Sequence, residues 1–281
     1  MKKLTIIVAG LLVLVPSLAF SNSFSFRLGY FMPRASDDIG LHPDSLWAIE
    51  FDQMSFQRKD FRGFTLGLSY EYFLAENLSL AFTLDYYSRD PGGYYLDYDQ
   101  ADFTDYWFAF PLDGEPAVIT DWYYIEHGLK VTSAPLQVSL KFLPLGRRAR
   151  LIPFVGGGAG VYFWSAEMYG EMVDFYPADE NGDPVDWYYD YETDTAYSNP
   201  ADPDLMDQPI YPVTSVNARE RNIALGFHAF AGFEFPIGRR ATIEAEARYH
   251  WAKGRFDEWF EGFEDFDLGG LALTVGFKYW F

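Results

Sequence analysis

The final eleven residues, LALTVGFKYWF, alternate without a break. Leu271, Leu273, Val275, Phe277, Tyr279 and Phe281 fall on one side of an extended chain, and Ala272, Thr274, Gly276, Lys278 and Trp280 on the other. Successive side chains of a strand point to opposite faces, so this stretch is a strand with one oily face. It ends on an aromatic residue, where chain ends ordinarily fray into polar ones.

Seven earlier segments repeat the pattern. Phe24 to Met32 is the first and Phe64 to Leu74 the second. A tight turn at Ala75, Glu76 and Asn77 leads to the third, Leu78 to Tyr86. The span from Asp90 to about Tyr124 is rich in Asp and Tyr and has no period, so it reads as a long loop. The fourth segment runs from Leu136 to Phe142, with Pro135 predicting a bend or bulge. PLGRR at 144–148 leads to the fifth, about Arg150 to Ala166, in which Gly156, Gly158 and Gly160 share the face with little room. A second long acidic loop covers about Glu167 to Arg219. The sixth is Asn222 to Phe233, PIGRR at 236–240 repeats the earlier turn, and the seventh is Ala241 to Trp251. In both repeats the proline fixes φ and the glycine permits a positive φ. A loop rich in Phe, Glu and Asp precedes the closing segment.

Residues 1–21 read as a secretory signal, with Lys2 and Lys3, an apolar run from Leu4 to Val15, then Pro16 and small residues. Cleavage after Ala19 or after Ser21 satisfies the small-residue rule, and the choice stays open. Residues 22–281 then form one domain. Leu151 to Trp164, the most apolar later segment, is broken by Pro153 and glycines, so helical spanning is not expected. A chain of this kind crosses a membrane only as a closed barrel, because lipid offers no partner to an open strand edge. Cysteine is absent, and 41 acidic against 21 basic residues exclude nucleic acid as a partner. Aromatics at 20% suit the interfacial girdles of such barrels.

Alternation also fits a water-soluble calyx with its oily side inward. The other face decides. It is mostly Gly, Ala, Ser and Thr with scattered charges, which suits the cramped interior of an eight-stranded barrel rather than a solvated exterior. The expected fold is therefore all-β, an eight-stranded antiparallel up-and-down transmembrane β-barrel with long extracellular loops. Short connections follow segments two, four and six. They hold Arg147, Arg148, Arg239 and Arg240, where inner-leaflet phosphates would attract them, while the carboxylates gather at the other end.

Leu273, Val275, Phe277, Tyr279 and the terminal Phe281 resemble the assembly signal in the closing strand of Gram-negative outer-membrane β-barrels. With the N-terminal signal and the eight segments, the chain is similar to small barrels of the OmpW/OmpX/OmpA-transmembrane type. The resemblance implies export through the periplasm to the cell outer membrane. It also implies contact with outer-membrane lipids and lipopolysaccharide, and with the barrel-assembly machinery through the last strand. A non-enzymatic envelope protein is implied, binding a surface partner or passing small apolar solutes. The scaffold's known enzymes leave an alternative, a lipid A-modifying or proteolytic activity using His228 or His250 with Glu246.

The inward positions carry Arg27, Glu71, Asp85, Lys141, Glu234, Glu244, Glu246, Arg248 and Lys278, with His228 and His250. Buried charges must find partners, so a salt-bridged plug is expected. A hairpin turning near Gly238 sets His228 across from Arg248 or His250. A catalytic His and carboxylate pair is the sharper reading, but the deacylase's His-x-Ser is missing, since Ala229 and Phe230 follow His228 and Trp251 and Ala252 follow His250. No nucleophile in the sequence completes a triad. No cofactor and no metal are expected. Asp179, Asn181, Asp183 and Asp186 match a calcium loop only in part, since Gly182 comes too early and no closing Glu follows.

Overall fold

Alternating apolar residues make strands, and strands must pair. The computed structural model describes residues 22–34, 54–103, 106–112, 121–190, 192–199, 208–261 and 265–281. The signal segment and its cleavage site lie outside the described residues. The strands are β1 (Ser23–Pro33), β2 (Gly63–Ala75), β3 (Leu78–Arg89), β4 (Gly92–Phe103), β5 (Tyr106–Pro111), β6 (Tyr123–Phe142), β7 (Ile152–Val173), β8 (Trp187–Asp190), β9 (Thr195–Ser198), β10 (Gln208–Pro236), β11 (Ala241–Gly254), β12 (Phe266–Asp267) and β13 (Gly270–Trp280). All pairings are antiparallel. Among the described residues no helix is long and apolar enough to cross a membrane, which does not bear on a β-barrel.

Thirteen strands stand where eight were expected. β1 pairs with β2, β2 with β3, β3 with β6, β6 with β7, β7 with β10, β10 with β11, β11 with β13, and β13 with β1 again. These eight are the eight alternating segments. Of the others, β12 pairs with β11 in the stretch before the closing segment, and four correct the two long loops. β4 and β5 fall between Asp90 and Tyr124, β8 and β9 between Glu167 and Arg219, and β6, β7 and β10 run on as strands of 20, 22 and 29 residues. Period two was invisible there because both faces carry aromatics: Tyr94 is exposed while its neighbour Tyr95 is buried. β4 pairs with β5 and β6, and β5 and β8 pair with β10, which raises one side of the ring beyond its apolar band.

Pro135 produces no bulge. The β6–β7 ladder passes through Pro135↔Tyr162 in unbroken register, and on the β3 side pairing is interrupted between Leu84↔Leu136 and Tyr87↔Ser133 without a shift. A residue lacking N–H leaves a gap in a ladder and does not require an extra residue. The repeated turns also differ. Gly146 has φ +65°, whereas Gly238 is absent from the positive-φ glycines. The β10–β11 connection closes with an Ile237 N–H to Ala241 carbonyl bond at 2.9 Å. In the longer β6–β7 connection Gly146 N–H closes the turn on the Leu143 carbonyl at 2.9 Å, and the positive φ of Gly146 redirects the chain after that bond.

Inside and outside separate cleanly. The even-numbered residues of β11, Thr242 to Gly254, are buried, while Ile243, Trp251 and their counterparts on other strands face out. The outward set includes Phe26, Leu68, Val138, Leu225, Phe227 and Val275. Inside, the ring is filled in layers. Phe73, Leu143, Ile152, Phe154 and Phe230 close its lower end, beside the short turns. Phe56, Tyr87, Tyr95, Ile125, Trp164 and Phe256 belong to an aromatic cluster filling the upper end. Charged residues lie between.

Candidate functional site

Glycines let the charged layer form. Arg27 of β1 pairs with Gly67 of β2, and Gly67 with Asp85 of β3, so one line across the ring reads Arg27, Gly67, Asp85. A Cβ at Gly67 would stand 2.0 Å from Asp85 Oδ1. Without it, Arg27 Nη2 donates to Asp85 Oδ1 and Oδ2 at 2.9 and 3.0 Å. Gly158 does the same between Ser139 and His228, whose Oγ and Nε2 lie 2.7 Å apart; a Cβ there would sit 1.9 Å from the Val138 carbonyl oxygen.

Two sub-networks result. In the lower one, Lys278 Nζ donates to Glu71 Oε2 at 2.6 Å and Glu234 Oε1 at 2.5 Å, and approaches Glu244 Oε2 at 3.2 Å. Lys141 shares Glu71, at 3.4 Å, and Glu234, and its Nζ lies 3.9 Å from the Phe154 ring centre. Ser79 donates to Glu71 at 2.5 Å. In the upper one, Arg27 Nη1 and Arg248 Nε both donate to Glu246 Oε1, at 2.9 and 2.8 Å. Arg248 also donates to Gln137, and Gln137 Nε2 and Tyr162 Oη lie 3.1 and 3.0 Å from His250 Nδ1. The carboxylates are Glu71, Asp85, Glu234, Glu244 and Glu246, and the cations Arg27, Lys141, Arg248 and Lys278. All nine are buried.

Every inward charge named from the sequence therefore lies in one layer. His228 faces His250 in register, and Phe230 faces Arg248. The His and carboxylate pairing is not made: His228 meets Ser139, His250 meets Gln137 and Tyr162, and Glu246 is held by the two arginines. Ser139 and His228 resemble a nucleophile and base, but Ser139 is 1% and His228 3% exposed between the filled ends of the ring. Ser79, Gln137 and Tyr162 were not singled out from the sequence. Alternation places them inward, which was the available signal. Leu273, Val275, Phe277, Tyr279 and Phe281 face outward, and β13 seats the first four against β1 and β11.

Elsewhere, Asp179 Oδ1 accepts the amides of Asp183 at 2.9 Å and Asn181 at 2.8 Å, which hold its carboxyl below the usual range. The amide of Asp186 goes to Asn199 Oδ1 at 2.8 Å. Among the described residues no three His, Asp or Glu side chains are placed to hold a metal ion.

His127 lies above the apolar band, on a stretch of β6 whose outward residues include Glu126 and Lys130. It is 4% exposed, with ring centres of Phe56 and Tyr95 at 5.1 and 5.2 Å. Burial lowers its pKa to about 4. The unfolded chain binds a proton near pH 6.5 that the folded one refuses, so stability of this end is intact above that pH and falls as pH drops toward 4. The loss is expected to approach roughly 3 kcal/mol. Amide exchange of β4 and β6 at pH 4.5 against pH 7.5 reads it, and His127→Phe should flatten the difference. Equal protection at both pH values in the unsubstituted protein would contradict it.

No family model matches the chain, and no curated protein matches it by sequence. Solved structures do. The chain is similar to the outer membrane protein OprG from Pseudomonas aeruginosa, at 12% identity over 93% of this chain and 95% of that one, with a TM-score of 0.44. It is similar to the N-terminal β-barrel domain of Pseudomonas aeruginosa OprF, at 9% identity over 92% and 97%, TM-score 0.37. Outer membrane protein W of E. coli matches at 12% identity over 94% of this chain and all of that one, TM-score 0.33.

Proposed function

We propose that the chain is a non-enzymatic outer-membrane protein whose eight-stranded ring spans the bilayer as a plugged barrel and whose raised upper sheet binds a partner at the cell surface. One observation carries this reading: the closed ring is apolar outside and charged inside. Leu225 is 79%, Phe227 69% and Val275 59% exposed, while Arg27, Arg248 and Lys278 are buried. A water-soluble calyx has the opposite polarity. The 11 residues of β13, at about 3.3 Å each and tilted near 40°, rise roughly 28 Å, which suits an apolar band of about 25 Å.

Orientation follows from the two ends. Arg147, Arg148, Arg239 and Arg240 mark the periplasmic end, and the acidic strand β4 and the carboxylate-bearing turns that flank β8 and β9 stand outside against lipopolysaccharide. β13 offers the barrel-assembly machinery its outward Leu273, Val275, Phe277 and Tyr279, followed by Phe281. Surface binding is better supported than passage of apolar solutes, because aromatic and aliphatic layers close both ends of the lumen. In planar bilayers the inserted protein should therefore show no steady conductance of general-porin size. Such a conductance would refute the plug, and a processed chain that stays dissolved without detergent would refute the barrel.

A further inference from the structure

The two arginine turns are far apart in sequence but adjacent in space. β7 and β10 pair from Val213↔Val173 down to Glu234↔Ile152, so the turn entering β7 and the turn leaving β10 emerge side by side. Between them lies a cavity of about 430 Å³ at the lower mouth of the ring. Arg147, Arg148, Arg239 and Arg240 surround it, and Ile152 and Trp280 contribute its apolar lining.

Four guanidinium groups around one concavity concentrate positive charge at this mouth of a chain whose net charge is −20. Part of the cluster is held in place. Arg240 Nη1 lies 3.5 Å from Tyr279 Oη, its carbonyl accepts the Trp280 amide at 2.8 Å, and Arg147 stands 5.5 Å from the Phe73 ring centre. Arg148 shares Glu76 at 3.1 Å, but both side chains are largely solvated, so that pair yields readily to a stronger anion. Guanidinium forks match phosphate oxygens in pairs, and a cavity of this volume is in the range that holds small ligands.

We propose that the lower mouth is a binding site for phosphate-bearing anions, with each PxGRR turn supplying two arginines. The source of the phosphate is either an inner-leaflet lipid headgroup or a soluble phosphate. The lipid source rests on the membrane reading, and the site itself does not.

The test titrates pyrophosphate into the folded protein in nonionic detergent at low salt by calorimetry. Saturable binding with Kd below about 1 mM is expected. R147Q/R148Q and R239Q/R240Q, each shown folded by its unboiled gel mobility, should each weaken it at least about tenfold. Failure to saturate up to about 10 mM, or both double variants binding like the unsubstituted protein, overturns the site. A second arm compares thermal midpoints in phosphatidylglycerol and phosphatidylcholine vesicles. Stabilisation by phosphatidylglycerol that both double variants lose assigns the lipid headgroup, and pyrophosphate binding without that preference assigns soluble phosphate. Refusal to enter phosphatidylcholine vesicles with pyrophosphate binding intact would strike the membrane reading and leave the site standing.

Discussion

Val275→Arg is expected to destabilise the protein in lipid vesicles by about 2–4 kcal/mol, the cost of an arginine at the middle of a barrel's lipid face. Val275 lies midway along β13, between Leu28 of β1 and Ala245 of β11, in an unbroken band of apolar outward neighbours. At a water-exposed position the same change would fall within about 0.5 kcal/mol, because nothing packs over a side chain that is 59% exposed. The environment outside the ring thus decides between two values that do not overlap. Urea unfolding in vesicles, followed by tryptophan fluorescence, measures the difference. Glu126→Arg, on the outward face of β6 above the band, serves as the control and should cost under about 1 kcal/mol. A Val275→Arg loss below about 0.5 kcal/mol would mean that lipid does not cover this face.

The eight ring strands were legible because an apolar outer face and a charged lumen make opposite demands on alternate residues. Phe24 to Met32 and Ala241 to Trp251 cannot hide that pattern. Above the band the demands relax. Tyr94 packs 5.1 Å from Tyr124 on the exposed side, while Tyr95 points in toward His127, and both faces look alike in sequence. Inward direction was equally readable for each charge, since it needs only the parity of its position. Partner choice was not, since it depends on how neighbouring strands are staggered around the ring. Arg27 and Asp85 are 58 residues apart and on non-adjacent strands, and they meet because the residue between them in the ladder is Gly67. The same stagger brings the two arginine turns together, where the sequence shows only a repeated motif.

Arg27→Met should cost about 3–5 kcal/mol, the penalty of stranding buried charge by removing one partner of a buried pair. The substitution leaves Asp85 without the guanidinium that contacts both its oxygens, and halves the cation contacts of Glu246, which retains Arg248 at 2.8 Å. Adding Asp85→Leu removes the orphan and should restore more than half of the loss, which appears in a double-mutant cycle as a coupling of at least about 1.5 kcal/mol. The readouts are urea unfolding and the temperature at which the unboiled gel band disappears. A dry plug and a water-filled lumen differ here in kind. In a plug each carboxylate depends on its cation, whereas water would solvate Asp85 and hold the single substitution under about 1 kcal/mol. Such a small loss would show that water reaches the charged layer, leaving the apolar clusters at the two ends as all that closes the lumen.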